Sequence, residues 1–329
     1  MTVLCYILAM KSFWQTLPKP FFVLAPMEDV TDAAFRKLIA KYSSPEIPRV
    51  MYTEFTSADG LLLADEDGQK KLRKKLLFSD AERPIVAQLF TSSPDRMEAG
   101  ARLCAELGFD GFDINMGCPD RAVEKSGCGA ALIRTPALAR ELIRVAKRGF
   151  GGPVSVKTRI GYNTDELETW LPELLAEEPE AVILHLRTRK EMSDYPAHWD
   201  RMARAIKIRD SLKSKTLIIG NGDIRDIAEA RAKVEETGCD SIMLGRAVFG
   251  NPWIFAERSS LPTPAERVAG LLEHLDLFEQ ILSGTTHYAT MKKHFKAYIS
   301  GWDGAKELRG RLMETNTPEE ARLILAAAH

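Results

Sequence analysis

The sequence predicts a (β/α)8 barrel followed by a small all-helical C-terminal domain, and three observations carry that expectation. Eight short apolar or β-branched runs recur in order, at 21–25, 50–54, 85–90, 110–114, 153–157, 181–186, 216–220 and 239–244. Most are separated by stretches with helical periodicity, the alternation of a parallel sheet built from repeated strand and helix units. Each run also ends in something polar or conformationally special, as expected where strands deliver side chains to one rim of a barrel. A doubly wound sheet shares the alternation, but it does not need eight units, and no GxGxxG fingerprint follows any strand here.

Taken in order, residues 1–20 are assigned as an N-terminal extension. The run MTVLCYILAM is apolar but lacks a basic start and is too short to span a bilayer, so no membrane segment is expected. Met10 is a candidate initiator, and ordered sequence is expected from about Phe21. The barrel is assigned to 21–258, with its clearest helices at 94–107, 136–148 and 225–236, where apolar residues recur at three- and four-residue steps. Beyond Phe255 the texture changes to a linker, SSLPTPAER, and residues 259–329 form the helical domain. Thr263 with Glu266 makes a capping box, and Val268, Leu271, Leu275, Phe278 and Leu282 mark one helix face that stops at Gly284. Further helices are expected at about 286–300, 304–314 and 318–327.

Charge and cysteine content narrow the functional classes. A formal net charge of -1 excludes a uniformly basic nucleic-acid binder, so any RNA partner must be met by a local patch. The 5 cysteines are odd in number and form no CxxC pair, which argues against a disulfide framework or a zinc knuckle. A reducing cytoplasm, a monomer and no metal site are the corresponding expectations.

The strand ends supply the chemistry. The run DINMGCP places Asn115, a glycine turn and Cys118 where a strand leaves its sheet, with Gly117 free to take unusual backbone angles and Pro119 fixing the next one. Cys104 and Cys239 read as buried small hydrophobes, and Cys128 in SGCGAAL as a packing residue. The other ends give Pro26 and Met27, Glu54, Gln88, Lys157 with Arg159, His185 with Arg187, Asn221 with Asp223, and Gly245 with Arg246. IIGNGDI and IMLGRA offer glycine-opened amides beside an arginine, a setting that binds phosphate. Lys157 at the end of PVSVK wants an electron-rich partner to offset its desolvation, either a flavin or, as a structural ion pair, Glu54. His185 by itself is equally a satisfied core histidine, and Met27 is more often core than ligand contact.

Together APMEDVTDAAFR, AQLF, DINMGCPDRAVEKSGCGAALI, VKTRIG, HLRTR, NGDI and GRAVFGNPWIF resemble the tRNA-dihydrouridine synthase family from about Phe21 onward. The resemblance implies an FMN-binding barrel with a helical domain that uses NADPH to reduce the C5=C6 bond of particular uridines in tRNA. It puts Cys118 in the place of the catalytic acid that protonates C5, while reduced flavin gives hydride to C6. Gln88, Lys157, His185, Pro26 and Met27 take flavin-contacting positions. Asn221, Gly222, Asp223, Gly245 and Arg246 fall in the phosphate loops, and Asn115, Arg159 and Arg187 at the target uridine. A protonated thiol suits the acid's role without special activation, and no Cys-His signature for a nucleophile surrounds it.

Residues 286–311 hold six Lys and Arg against two acids, with Tyr288, Phe295, Tyr298 and Trp302 interleaved. Lys292, Lys293, His294 and Arg309 are assigned to tRNA contact on the strength of the resemblance; a solvated helix face over an aromatic core is the competing account. KKLRKK at 70–75 is expected to be an exposed helix face. After HLRTR the sequence departs from the family pattern, and Tyr195 is only a candidate aromatic contact for the uracil. Two alternatives remain: an FMN barrel that reduces a small pyrimidine-like molecule, and an RNA-binding barrel without redox chemistry.

Overall fold

The computed structural model describes residues 12–256, 258 and 260–327. Cys5 and the candidate initiator Met10 lie outside the described residues.

Among the described residues there are nine parallel strands: β1 (Phe21–Leu24), β2 (Arg49–Tyr52), β3 (Thr56–Ser57), β4 (Ile85–Phe90), β5 (Gly111–Met116), β6 (Val154–Arg159), β7 (Ala181–His185), β8 (Leu217–Asn221) and β9 (Ser241–Leu244). β1 pairs with both β2 and β9, and β2 pairs with β4, so all but the two-residue β3 close into an eight-stranded barrel. β3 only extends the rim beside β4.

Alternation along each strand decides what faces where. Phe21, Val23, Val50, Tyr52, Val86, Ile183, Ile219 and Met243 pack together inside the barrel. Their neighbours Phe22, Leu24, Met51, Ile85, Ile114, Val156 and Leu184 join the much larger core between barrel and helices. Carried two residues further along each strand, the inward positions are Ala25, Gln88, Asn115, Lys157, His185, Asn221 and Gly245. The rim set of the sequence is therefore the top of the barrel's interior column.

The expected helices form close to their predicted limits, at Pro94–Glu106, Pro136–Phe150 and Ile227–Thr237. Pro136 starts the second at its first turn, and Gly151 ends it in the left-handed conformation at φ 68°. The linker leads to Pro264–Leu282, capped by the Thr263 and Glu266 box, and its five predicted apolar positions are all buried. Met291–Tyr298, Ala305–Glu314 and Pro318–Ala326 complete the C-terminal helices. Pro264–Leu282 lies along Ala33–Tyr42 of the barrel, where Tyr42 Oη donates to Glu273 at 2.7 Å. Gly250, at φ 62°, lies so close to the Ala297–Tyr298 backbone that a Cβ would fall 2.4 Å from it, which fixes the last barrel loop against Met291–Tyr298.

One element lies where only an extension was expected. Phe13–Thr16 forms a single helical turn that tucks Trp14, 1% exposed, into the barrel interior 5.7 Å from the ring of Phe21. One turn carries no periodic pattern, so its packing was invisible in the sequence. No helix among the described residues is long and apolar enough to cross a membrane.

Candidate functional site

A cavity of about 230 Å³ opens at the C-terminal mouth. Its wall includes Pro26, Met27, Lys157 and His185 on one side, and Asn221, Gly222, Asp223, Gly245 and Arg246 on the other. Nine of the ten positions expected to hold a cofactor thus line one space; Gln88 lies outside that lining. The strand register explains the gathering, since Asn115 pairs with Lys157, Arg159 with His185, and His185 with Asn221 across successive strands.

Lys157 is half-buried, and among the described residues no side chain bonds its ammonium. Burial, then the neighbouring Arg159, lowers its pKa to about 8. Glu54 is not its partner. That carboxylate is buried, accepts the Asp29 amide at 2.7 Å and lies 3.9 Å from Lys75.

His185 is held neutral, because burial and then the cations Lys157, Arg159, Arg187 and Arg246 push its pKa well down. Arg187 Nη1 lies 3.0 Å from His185 Nε2, and a guanidinium can only donate, so the proton of the neutral ring sits on Nδ1. Arg187 is also bonded to the Tyr195 carbonyl at 2.5 Å and to both Asp223 oxygens at 2.6 and 2.7 Å. At 2% exposure it is a brace for His185 and Asp223, and it also lines the cavity. Asp223 holds Arg246 as well, so the carboxylate inside the expected phosphate loop is already neutralised by two arginines. Gly222 has φ 138°, and a Cβ there would sit 2.6 Å from that of Ala197, so glycine alone fits.

The other half of the mouth is a single directional hydrogen-bond chain. Ser155 Oγ donates to Asp113 Oδ1 at 2.6 Å, which leaves the Tyr52 hydroxyl to donate to Ser155 at 2.9 Å. Gln88 Nε2 donates to the other Asp113 oxygen at 2.7 Å, and Gln88 Oε1 accepts from Asn115 Nδ2 at 3.1 Å. Asn115 Oδ1 then accepts from the amides of Gly117 and Cys118 at 3.1 and 2.9 Å. Asp113 is the acceptor at which both arms end, and its position dictates which way each amide points. Burial raises its pKa to about 7. Tyr52, Ser155 and Asp113 were not singled out from sequence, although an acid at an inward position of an apolar strand is itself a signal.

This chain sets the turn that presents Cys118. The turn is closed from the other side by Arg159, whose Nε donates to the Gly117 carbonyl at 2.8 Å and whose Nη1 bonds the carbonyls of Thr188 and Met192. Gly129, at φ 60°, packs over it, where a Cβ would meet the Cys118 carbonyl at 2.6 Å. The Cys118 thiol is half-buried, and burial raises its pKa, so it is a proton-bearing thiol rather than a thiolate. Asn115 and Arg159 spend most of their bonds on this scaffold; one N–H of the Asn115 amide and Nη2 of Arg159 remain for a ligand. Cys104, Cys128 and Cys239 are buried, as expected.

The basic C-terminal segment splits by face. Lys293, Lys296, Lys306 and Arg311 are exposed, with Lys293 bonded to Asp29 of the rim at 2.7 Å. Lys292 is half-buried, and Arg309 donates to the Ile299 carbonyl at 3.0 Å. His294 is 1% exposed and packs against Phe35, which removes it from the expected tRNA-facing set. Phe295 and Tyr298 are buried too, so the aromatics form a core beneath the lysines. KKLRKK lies on Glu66–Lys75, where no residue is buried, yet Lys74 reaches the Ile281 carbonyl at 2.7 Å and Lys75 the acids at the rim. Tyr195 is 59% exposed, its ring outside the cavity lining.

A parallel barrel with a protonated thiol, a lone ammonium and an amide-rich loop pair around one mouth has the build of a barrel oxidoreductase. Its family is set by comparison. The family model "Dihydrouridine synthase (Dus)" matches residues 23–329, and the chain belongs to that family. It is similar to a "Probable tRNA-dihydrouridine synthase 2" of Bacillus subtilis (strain 168), 41% identical over 317 residues and 96% of each chain. A "Probable tRNA-dihydrouridine synthase" of Staphylococcus epidermidis is also 41% identical, over 96% of this chain and 95% of that one. Among solved structures, histamine dehydrogenase from Rhizobium sp. 4-9 shares the fold, with a TM-score of 0.50 and 14% identity over 78% of this chain and 48% of that one.

Proposed function

We propose that the protein reduces the C5=C6 bond of specific uridines in tRNA, with FMN in the mouth cavity and NADPH as reductant, acting as a cytoplasmic monomer. The observation that carries this is the register that pairs Asn115, whose side-chain oxygen accepts from the Cys118 amide, with Lys157, whose side chain lines the cavity. The donor set suits FMN: amides and Arg246 at the Gly222 and Gly245 loops for a phosphate, and the Lys157 ammonium for an electron-rich ring edge. The one acid in that wall, Asp223, is held by Arg187 and Arg246 and offers little repulsion to an anion.

Bound there in reduced form, FMN supplies a hydride for C6 of the uridine. The chain's own groups do the rest. The Cys118 thiol, kept protonated by burial, gives its proton to C5, so hydride and proton together saturate the bond. The Gly117 carbonyl is gripped by Arg159 and the Cys118 amide by Asn115, which keeps the thiol on one trajectory. Tertiary structure hides most tRNA bases, so the target must be extruded into the mouth, and the exposed lysines beside it take the phosphate backbone.

Purified protein should be yellow and should form dihydrouridine in tRNA from a strain lacking the modification. Cys118→Ala should keep its flavin and lose turnover. A colourless protein removes the cofactor assignment, near wild-type turnover of Cys118→Ala removes the proton donor, and activity on free uracil without tRNA favours the small-pyrimidine alternative.

A further inference from the structure

Away from the mouth, a sealed polar cluster lies between the barrel and the C-terminal helices. Asp32 caps Ala33–Tyr42, accepting the Phe35 amide at 2.8 Å through one carboxylate oxygen and leaving the other available. His274, from Pro264–Leu282, and His294, from Met291–Tyr298, face it, and one ligand atom from each of the three residues lies within 4.8 Å of the others. The imidazoles are 0% and 1% exposed and meet edge to face, 4.4 Å between centroids. Phe35 stacks on His274 at 4.9 Å. None of the four ring nitrogens has a hydrogen-bond partner among the described residues, nor does the buried hydroxyl of Tyr298 near by. Orphaned polar atoms in such number, with one nitrogen of each imidazole close to the Asp32 carboxylate, call for a missing partner.

We propose that Asp32, His274 and His294 bind a structural zinc ion that fastens the C-terminal helices to the barrel. Two neutral imidazoles and a carboxylate are an ordinary zinc donor set, and bonds of about 2.0 to 2.2 Å place tetrahedral ligand atoms about 3.3 Å apart, within reach of small ring rotations. Water completes the fourth position. The donors come from three helices widely separated in sequence, so the ion sets how the lysine face stands over the mouth. The cysteine pattern gave no hint of this, because no cysteine takes part. The proposal is independent of the redox chemistry.

Tag-free full-length protein, purified without chelator, should carry close to one zinc per chain by elemental analysis. Its zinc-edge X-ray absorption should show only nitrogen and oxygen neighbours, with the imidazole signature. Dialysis against a chelator should lower Tm by roughly 5 °C, reversed by added zinc. His274→Ala and His294→Ala should each lose the metal, while Cys118→Ala should keep it. Wild-type protein with below roughly a tenth of an equivalent after dialysis against excess zinc would overturn the assignment, as would sulfur in the shell or iron in zinc's place. These wild-type measurements decide the matter even if the histidine variants do not fold.

Discussion

The barrel rim and the C-terminal helices carry the same kinds of residue, yet they dispose of them in opposite ways. At the rim, inward direction is dictated by alternation within a closed sheet, so Lys157, His185 and Asn221 all face one cavity. In Met291–Tyr298 direction is set by which neighbour the helix leans on, and His294 and Phe295 turn inward while Lys293 and Lys296 turn out. A closed barrel has one inside. A helix acquires its inside only from its partner, and run-level charge counting across a helix mixes the two faces.

The comparison breaks most sharply at the thiol. Cys118→Ala should lower single-turnover dihydrouridine formation by a factor on the order of 10² to 10⁴ with bound flavin unchanged. Asp113→Asn comes next and tests whether the rim is oriented from below. With the terminal acceptor replaced by a group that can also donate, the Gln88 and Asn115 amides lose their fixed polarity, and turnover should fall by about ten- to a hundredfold. Its effect on stability has the opposite sign. Asp113 titrates near 7 when folded against 3.8 as its ordinary value, so the native state binds the extra proton and loses stability as pH climbs from about 4 to about 7. Tm of the Asn variant should therefore gain on wild type between pH 5 and pH 8, and a constant difference would show that Asp113 does not titrate there.

Smaller effects sharpen the contrast. Lys157 has a folded pKa of about 8, so FMN binding to flavin-free protein should weaken above that pH as the ammonium is lost. Lys157→Met should bind roughly tenfold more weakly at pH 7 and show no such alkaline limb in a titration followed by flavin fluorescence. Reversing Lys292, Lys293 and Lys296 to Glu should weaken tRNA binding by about tenfold at low salt, with a shallower salt dependence and NADPH oxidation intact. His294→Ala, by contrast, removes a buried ring and no exposed cation, and should lower Tm.

What was legible follows the same division. Strand ends, helix limits and the Thr263 capping box are local properties, and they appear in the structure within a few residues of their expected positions. Asp113 was in plain view in DINMGCP, but its meaning depends on the register that sets it beside Gln88 and Ser155 on neighbouring strands. Arg187 does line the mouth, but its bracing role was not legible, because its partners, the Tyr195 carbonyl and Asp223, come from segments whose approach no local pattern announces. Trp14 and the pair His274 and His294 were missed for the same reason: each is explained only by what lies against it in space.

The chain of bonds from Tyr52 to Cys118 has a bearing on how such a turn can be inherited or borrowed. Transplanting residues 114–119 into another barrel would carry the thiol but leave its compass behind, since north is defined by one carboxylate lower in the host's interior. Grafts, and drift within the family, would then travel in sets that include positions 52, 88, 113 and 155, and a thiol moved without them would arrive facing an arbitrary way.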